Sequence, residues 1–235
     1  MIESGTNDQT LRNLTVLDLS TELAGPYCAK LLGGFGAEVI KVEDPRGGDP
    51  ARRWGPFPDD IPHHEKSGFF LHLNLNKRGI SLNIRCTTGR KILSDLIRGA
   101  DILVESFTAT ERAEVGLEYL DVAKLNPKLV QTSVTPFGAT GPYRDYKATD
   151  LMVYGMGGSM SSQGHPDRGP VNLARNVVMY QAGLQAALGT MGAFYAVEQL
   201  GRGQHVDLSM VEALSSSADG RCNSLVQYQF TGENT

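Results

Sequence analysis

Apolar and polar positions alternate along the first part of the chain in a pattern that predicts two strands around one helix. Val16–Leu19 is a short apolar run of strand type, and Glu38–Val42 is a second one. Between them, Ala24–Pro26 indicates the start of a helix, because proline suits a first turn that needs no amide donor. The glycines of Gly33–Gly36 predict its end. Strand, helix and strand within about thirty residues form a βαβ unit with parallel strands and a right-handed crossover.

The same alternation continues through the rest of the chain. Further strand-type runs are Phe69–Leu73, Ile80–Ile84, Ile102–Val104 and Leu129–Val134. Helical patterns cover Thr88–Arg98, Thr110–Leu117, Leu120–Leu125 and the long apolar, small-residue segment Val177–Val197. Strands alternating with helices predict an α/β fold with a Rossmann-like parallel sheet and helices on both faces. We assign residues 1–13 to a flexible N-terminal tail and 14–235 to one folded domain.

The first βαβ unit raises the question of nucleotide binding. The amides at a helix N-terminus after a first strand suit phosphate, and Glu43 ends the second strand, where dinucleotide folds carry a ribose-binding acid. However, the glycines follow the helix, and the sequence contains no G-x-G-x-x-G. On the pattern alone, nucleotide binding and a plain α/β unit with glycine helix caps both stay open.

Composition narrows the class of protein. Hydrophobic residues make up 40% and charged residues 20%, as in ordinary soluble globular domains. A formal net charge of -4 without a basic run argues against a nucleic-acid partner. Apolar runs stay below membrane-spanning length, and the polar start Met1–Thr10 differs from a signal peptide. We therefore expect a cytoplasmic protein with neither a nucleic-acid nor a membrane partner.

Cysteine and histidine give little sign of a metal or redox centre. Cys28, Cys86 and Cys222 are odd in number and far apart, and the sequence has no C-x-x-C, so we expect reduced thiols. His63 and His64 lie in a polar loop beside acidic residues, but adjacent histidines point in different directions. We predict no metal site.

Several short motifs are more specific than the periodicity. In chain order they are Ala24–Pro26, Leu32–Glu43, Gly47–Arg52, Asn74–Arg78, Ala100–Glu105, Gly138–Tyr143, Gly201–Gln204 and Val206–Met210. Together they resemble the family III CoA-transferases, the group that includes formyl-CoA transferase, carnitine CoA-transferase and bile-acid-inducible F-like proteins. The resemblance runs from about Leu14 to the C-terminus. It implies that 14–235 is the large domain of that fold, without the family's small domain and C-terminal return segment.

The resemblance also implies a chemistry that uses coenzyme A and acyl-CoA as substrates and no metal. Family members exchange CoA between a thioester and a carboxylic acid: an aspartate attacks the acyl-CoA carbonyl to give a mixed anhydride, which CoA converts into an enzyme thioester. Alignment back from Gly201, and forward from Asn126 through Lys147, places that aspartate position at Met179. A thioether cannot form an anhydride, and the neighbours Val178 and Tyr180 carry no carboxylate. The family nucleophile is therefore predicted to be missing.

The resemblance implies CoA contacts at positions along most of the chain. They are Leu23, Ala24, Leu82, Asn83, Ile84, Arg85, Ser106, Phe107, Thr108, Lys147, Ala148, Thr149 and Asp150. Arg85 and Lys147 are the expected phosphate contacts. Glu114 stands where the family often has an arginine, and a carboxylate there repels phosphate.

Three functions are compatible with these residues. The chain can be a CoA-transferase subunit that works in an oligomer with a homologous, aspartate-bearing subunit. It can be a CoA-transferase or acyl-CoA racemase-like enzyme that uses another carboxylate, for which Asp150 is the nearest candidate and Asp207 a second. It can also be a non-enzymatic protein that binds CoA thioesters.

Overall fold

The computed structural model describes residues 9–158, 160, 163–165, 167–174, 176–215 and 221–232, with the backbone alone at 221–225. Most of the predicted tail and the Cys222 side chain thus lie outside the described residues. Within the described part of that tail, Leu11 is buried in the core, and its backbone amide donates to the Phe35 carbonyl at 3.0 Å. Leu11 therefore packs as part of the domain.

Six parallel strands form one sheet. The strands are β1 (Thr15–Asp18), β2 (Glu38–Glu43), β3 (Lys77–Ser81), β4 (Ile102–Glu105), β5 (Val130–Thr135) and β6 (His205–Ser209). Their spatial order is β3-β2-β1-β4-β5-β6, and every pairing is parallel. The predicted Rossmann-like sheet is confirmed. Because the order reverses between β1 and β4, a crevice opens at the carboxyl ends of these two strands.

Helices cover both faces of the sheet. They are α1 (Ala24–Gly34), α2 (Gly68–Asn74), α3 (Thr87–Arg98), α4 (Ala109–Val115), α5 (Tyr119–Leu125), α6 (Asp150–Met156), α7 (Val177–Leu200), α8 (Met210–Ser215) and α9 (Arg221–Thr231). Val16 and Val104 belong to the core on the α1 and α7 face, whereas Leu17 and Leu103 belong to the core on the α3 and α5 face. This alternation is the two-residue period of strands buried on both sides.

One predicted strand is wrong. Phe69–Leu73 lies in helix α2, and the strand that follows is Lys77–Ser81 instead of Ile80–Ile84. The Ser67 hydroxyl caps the helix by accepting a hydrogen bond from the Phe70 amide at 3.0 Å. A five-residue run with four apolar positions fits a strand and a short helix equally well, so its period could not decide between them.

Helix α7 packs closely on α1, as its many small residues predict. A Cβ on Gly183 would lie 2.5 Å from the Ala24 carbonyl oxygen, so only glycine fits at this crossing. One turn earlier, the Tyr180 ring meets the Tyr27 ring edge-on at 4.9 Å. Despite the apolar character of α7, no helix in the described ranges is long and apolar enough to cross a membrane.

A cluster of buried charges holds the loop after β2 against the sheet. Lys41 Nζ lies 3.0 Å from Asp49 Oδ2 and 3.7 Å from Asp18 Oδ2, and Lys77 Nζ lies 2.8 Å from the same Asp18 oxygen. Burial opposes the charge of Asp18, but Lys41 and Lys77 hold its pKa below the ordinary value. Lys41 also donates to the Ser20 carbonyl at the end of β1. The cluster thereby ties β1, β2, β3 and the following loop together.

Candidate active site

A cavity of about 100 Å³ occupies the crevice at the carboxyl ends of the strands. Its lining comprises Leu19, Thr21, Lys41, Val42, Glu43, Asp44, Gly48, Asp49, Leu82, Ile84, Arg85 and Phe107. These residues follow β1, β2, β3 and β4, so four separate strand ends contribute to one site. A crevice lined by both apolar and charged side chains suits a ligand with an apolar part and charged groups.

The structure places some of the predicted CoA residues in this crevice and others beside it. Leu82, Ile84, Arg85 and Phe107 line the cavity. Leu23 and Ala24 are buried at the start of α1 and do not belong to the lining. Asn83 accepts a hydrogen bond from the Arg85 amide at 3.0 Å and so shapes the wall.

Two predicted residues after β4 have local structural partners. The Ser106 hydroxyl accepts a hydrogen bond from the Thr21 amide at 2.9 Å, which joins the loops after β1 and β4. The Thr108 hydroxyl caps α4 by accepting a hydrogen bond from the Glu111 amide. The Glu111 carboxylate in turn accepts a hydrogen bond from the Thr108 amide, which completes the capping box. These contacts fix the loop that carries Phe107.

Glu43, the acid at the end of β2, is already bound by other residues of this chain. Both Glu43 carboxylate oxygens accept hydrogen bonds from Arg52 at 2.8 Å, and Oε2 also accepts from the Asp49 amide. Burial opposes the charge of Glu43, but the Arg52 and Asp49 hydrogen bonds hold its pKa below the ordinary value. Glu43, which the βαβ pattern suggested as a ribose-binding acid, therefore stabilises the loop after β2.

Glu114 offsets the positive charge of Arg85, one of the two predicted phosphate contacts. Arg85 Nη1 lies 3.3 Å from Glu114 Oε2, and Arg90 donates to the Glu114 carbonyl at 2.9 Å. Glu114 thus neutralises the neighbouring Arg85. Lys147, the second predicted phosphate contact, is exposed and does not line the cavity.

The segment Lys147–Thr149 leads into a second region, at the start of α7. There, the backbone amides of Asn176 and Met179 and the Asn172 side chain form hydrogen bonds with the Asp150 carboxylate. Asp150 Oδ1 is buried and accepts no hydrogen bond from the described residues. Burial raises the pKa of Asp150, which these hydrogen bonds only partly oppose. The structure therefore brings Asp150 and Met179 together.

Asp207, the second candidate carboxylate, has a structural role, and the buried Cys28 is not reactive. The Asp207 carboxylate accepts hydrogen bonds from the Ala139 amide at 2.9 and 3.1 Å and holds that loop against β6. Burial raises the pKa of the Cys28 thiol to about 12, so this cysteine is a poor nucleophile. Within the described residues, no group of three or more histidine, cysteine, aspartate or glutamate side chains can hold a metal ion.

Sequence reasoning missed four polar residues of the crevice: Thr21, Lys41, Asp44 and Asp49. The motif Gly47–Arg52 contains Asp49 and was a signal for its importance. Nothing in the sequence pointed to the buried pairing of Lys41 with an acid eight residues further on.

Comparison with known proteins decides the family. The model of CoA-transferase family III matches residues 11–234. The chain belongs to this family. Among relatives, the succinate–glutarate CoA-transferase of Agrobacterium fabrum is 36% identical over 88% of this chain and 52% of its own length. Subunit BbsE of the succinyl-CoA:(R)-benzylsuccinate CoA-transferase of Thauera aromatica is 38% identical over 87% of this chain and 50% of its own length.

A solved structure supports the same assignment. A CAIB/BAIF family protein from Brucella suis superposes with a TM-score of 0.87 and 33% identity, covering 97% of this chain and 59% of its own. The chain thus spans about half the length of the curated family III relatives it matches.

Proposed function

We propose that this chain is a CoA-transferase subunit that binds an acyl-CoA thioester and a carboxylic acid while an aspartate-bearing homologous subunit supplies the nucleophile. The observation that carries the proposal is Met179 at the start of α7, where the family aspartate is expected, in a chain that keeps Leu82, Ile84, Arg85 and Phe107 together in one crevice. One relative, BbsE, is by its name a subunit of a CoA-transferase. Both relatives have names that include succinate or succinyl-CoA, which favours a short dicarboxylic acid as a substrate.

The residues of this chain support a role in substrate binding and leave covalent catalysis to the partner subunit. The crevice offers Leu82, Ile84 and Phe107 as apolar walls for the CoA nucleotide. At Met179 the side chain can pack against an acyl group but cannot form a C–O bond with it. A homologue with aspartate at the equivalent position can attack the thioester carbonyl, release CoA as the thiolate and form the mixed anhydride. Binding is then shared, and covalent catalysis belongs to the partner.

Native mass spectrometry of the untagged protein from its own cells tests this proposal. We expect a hetero-oligomer with a homologue that carries aspartate at the Met179 position. CoA-transfer activity should depend on both chains, and aspartate→alanine in the homologue should abolish it. A homo-oligomer or monomer that never associates with such a homologue would contradict the subunit role.

A second candidate function is supported by Asp150: an enzyme that uses its own substitute carboxylate. Its buried, unpaired Oδ1 lies beside the Met179 turn, and its raised pKa reflects incomplete stabilisation of its charge. In this alternative an Asp150 oxygen attacks the thioester carbonyl carbon, the C–S bond breaks, and CoA leaves as the thiolate. The product is an acyl-aspartyl anhydride on α6.

Asp150→Asn separates the two candidates. If Asp150 is the nucleophile, the substitution should reduce the exchange activity of the isolated chain by roughly a thousandfold or more. Hydroxylamine added with acyl-CoA should also convert Asp150 into a hydroxamate that peptide mass spectrometry detects. Asp121→Asn is the matched control, since Asp121 is exposed and pairs with Lys124 on α5. Unchanged activity in Asp150→Asn would leave this carboxylate as a cap of helix α7.

A further inference from the structure

Helices α1, α2 and α7 bring a basic and aromatic group of side chains together on the surface. Lys30 Nζ on α1 lies 3.3 Å from His72 Nδ1 on α2. The His72 ring lies 6.1 Å, centroid to centroid, from the Tyr180 ring on α7. We call Lys30, His72 and Tyr180 the basic cluster. Its members are distant in the sequence and meet only in the fold.

The cluster contains hydrogen-bond donors without an acidic partner. An ammonium group only donates, so His72 Nδ1 accepts from Lys30 and the imidazole proton is on Nε2. The remaining Lys30 protons and the Nε2 proton are therefore available to an acceptor. Among the described residues, neither Lys30 nor His72 forms an ion pair with a carboxylate, although many other cations of the chain do.

The electrostatic environment also suits an anion. Burial lowers the pKa of Lys30, and no neighbouring carboxylate opposes this effect. Burial and the charge of Lys30 together lower the pKa of His72. In the part of the chain that the structure describes, the titratable groups in contact with the His72 ring are Lys30 from α1 and Tyr180 from α7. An anion bound between Lys30 and His72 would relieve both effects and raise both pKa values.

The basic cluster lies close to the N-terminal turn of α7, which carries Met179. Tyr180 directly follows Met179, and consecutive residues of a helix are 1.5 Å apart along its axis and about 100° apart around it. The two side chains thus leave the same turn in neighbouring directions, within about one helix diameter of each other, roughly 10 Å. A ligand that leaves Lys30 and His72 along the Tyr180 ring therefore extends toward Met179.

We propose that Lys30 and His72 bind the second carboxylate of a dicarboxylic acid whose first carboxylate is activated at the Met179 end of α7. This inference rests on the proposed function, because it assigns the distal group of that same substrate. The bonds would be charge-assisted hydrogen bonds from the ammonium and from Nε2. Tyr27 and Tyr180 provide an apolar wall on one side for the carbon chain.

Succinate titration followed by histidine side-chain NMR tests this site. The sample is the untagged protein as isolated, with its partner where one is retained. Succinate should shift the His72 ring resonances saturably and raise the His72 pKa, while His63, His64 and His165 stay unchanged. Acetate, which lacks a second carboxylate, should bind at least about tenfold more weakly.

Matched variants assign the effect to the cluster. Lys30→Met and His72→Gln should each weaken succinate binding by about tenfold or more. Lys91→Met is the control, because Lys91 is a lysine on the exposed face of α3. If the His72 resonances do not respond to succinate, or if Lys30→Met binds succinate as tightly as the unmodified protein, the proposed site is wrong.

The same samples keep this inference distinct from the proposed function. CoA binding is measured by calorimetry, and the partner is identified by mass. If CoA binding and the homologous partner are present but succinate leaves His72 unaffected, the carboxylate site alone fails. If succinate binds at Lys30 and His72 but neither CoA nor a homologue associates, the site stands and the subunit role fails.

Discussion

Lys41→Met is expected to lower the free energy of unfolding by about 3–5 kcal/mol, because it leaves buried carboxylates without their cation. Lys41 is 2% exposed, and its partner Asp49 is 1% exposed. Asp49 Oδ2 accepts no hydrogen bond from the described residues, so the 3.0 Å ion pair with Lys41 is its polar contact there. Asp18 would keep its ion pair with Lys77 and its hydrogen bonds from Ser20 but lose the charge of Lys41. Urea unfolding monitored by circular dichroism measures the change.

Lys91→Met is the control for this substitution. Lys91 is exposed on α3, and the same chemical change there should alter stability by less than about 0.5 kcal/mol. Asp49→Asn, which removes the other charge, should also destabilise the protein, since it leaves Lys41 with fewer acceptors. A loss below about 1 kcal/mol in Lys41→Met would show that water or another group compensates for the missing cation.

Gly89→Ala is expected to weaken CoA binding by roughly tenfold or more and to lower stability by about 1–3 kcal/mol. A Cβ at residue 89 would lie 1.8 Å from the Asn83 carbonyl oxygen, a distance at which backbone must move. The part that moves is the turn after β3, which carries Leu82, Ile84 and Arg85 into the crevice. Calorimetric titration with CoA, alongside thermal unfolding, separates the two effects.

The matched control stands at the other end of the same helix. Gly99 follows α3, and the nearest atom to an added Cβ there is the Leu96 carbonyl oxygen at 3.8 Å, an ordinary contact. Gly99→Ala should therefore leave CoA affinity unchanged within about twofold. Equal affinities in the two variants would show that the wall after β3 does not determine CoA binding.

The sequence was sufficient for the elements with a clear period. The alternating cores around Val16 and Leu17, and the helical face of Thr87–Arg98, followed directly from apolar spacing. Phe69–Leu73 was predicted wrongly because its run was too short, and a capping serine outside it decided the structure. The parallel order of the strands was predictable, since strands joined by helices run parallel.

The candidate site was predicted unevenly. Short motifs and the family resemblance indicated Leu82, Ile84, Arg85 and Phe107, which line the crevice. Contacts between distant parts of the chain were not predictable, because spacing in the sequence does not determine distance in the fold. The pairing of Arg85 with Glu114 and the approach of Asp150 to the start of α7 are two such contacts.

The crossing of α7 over α1 has a consequence for how this family can vary. At Gly183 the two helices approach so closely that an added Cβ would lie 2.5 Å from the Ala24 carbonyl oxygen and 3.1 Å from the Tyr27 ring. This close packing positions α7, and residue 179 with it, against α1. A substitution at residue 179 then changes the chemistry of one side chain, while the contact at Gly183 continues to position the helix that carries it.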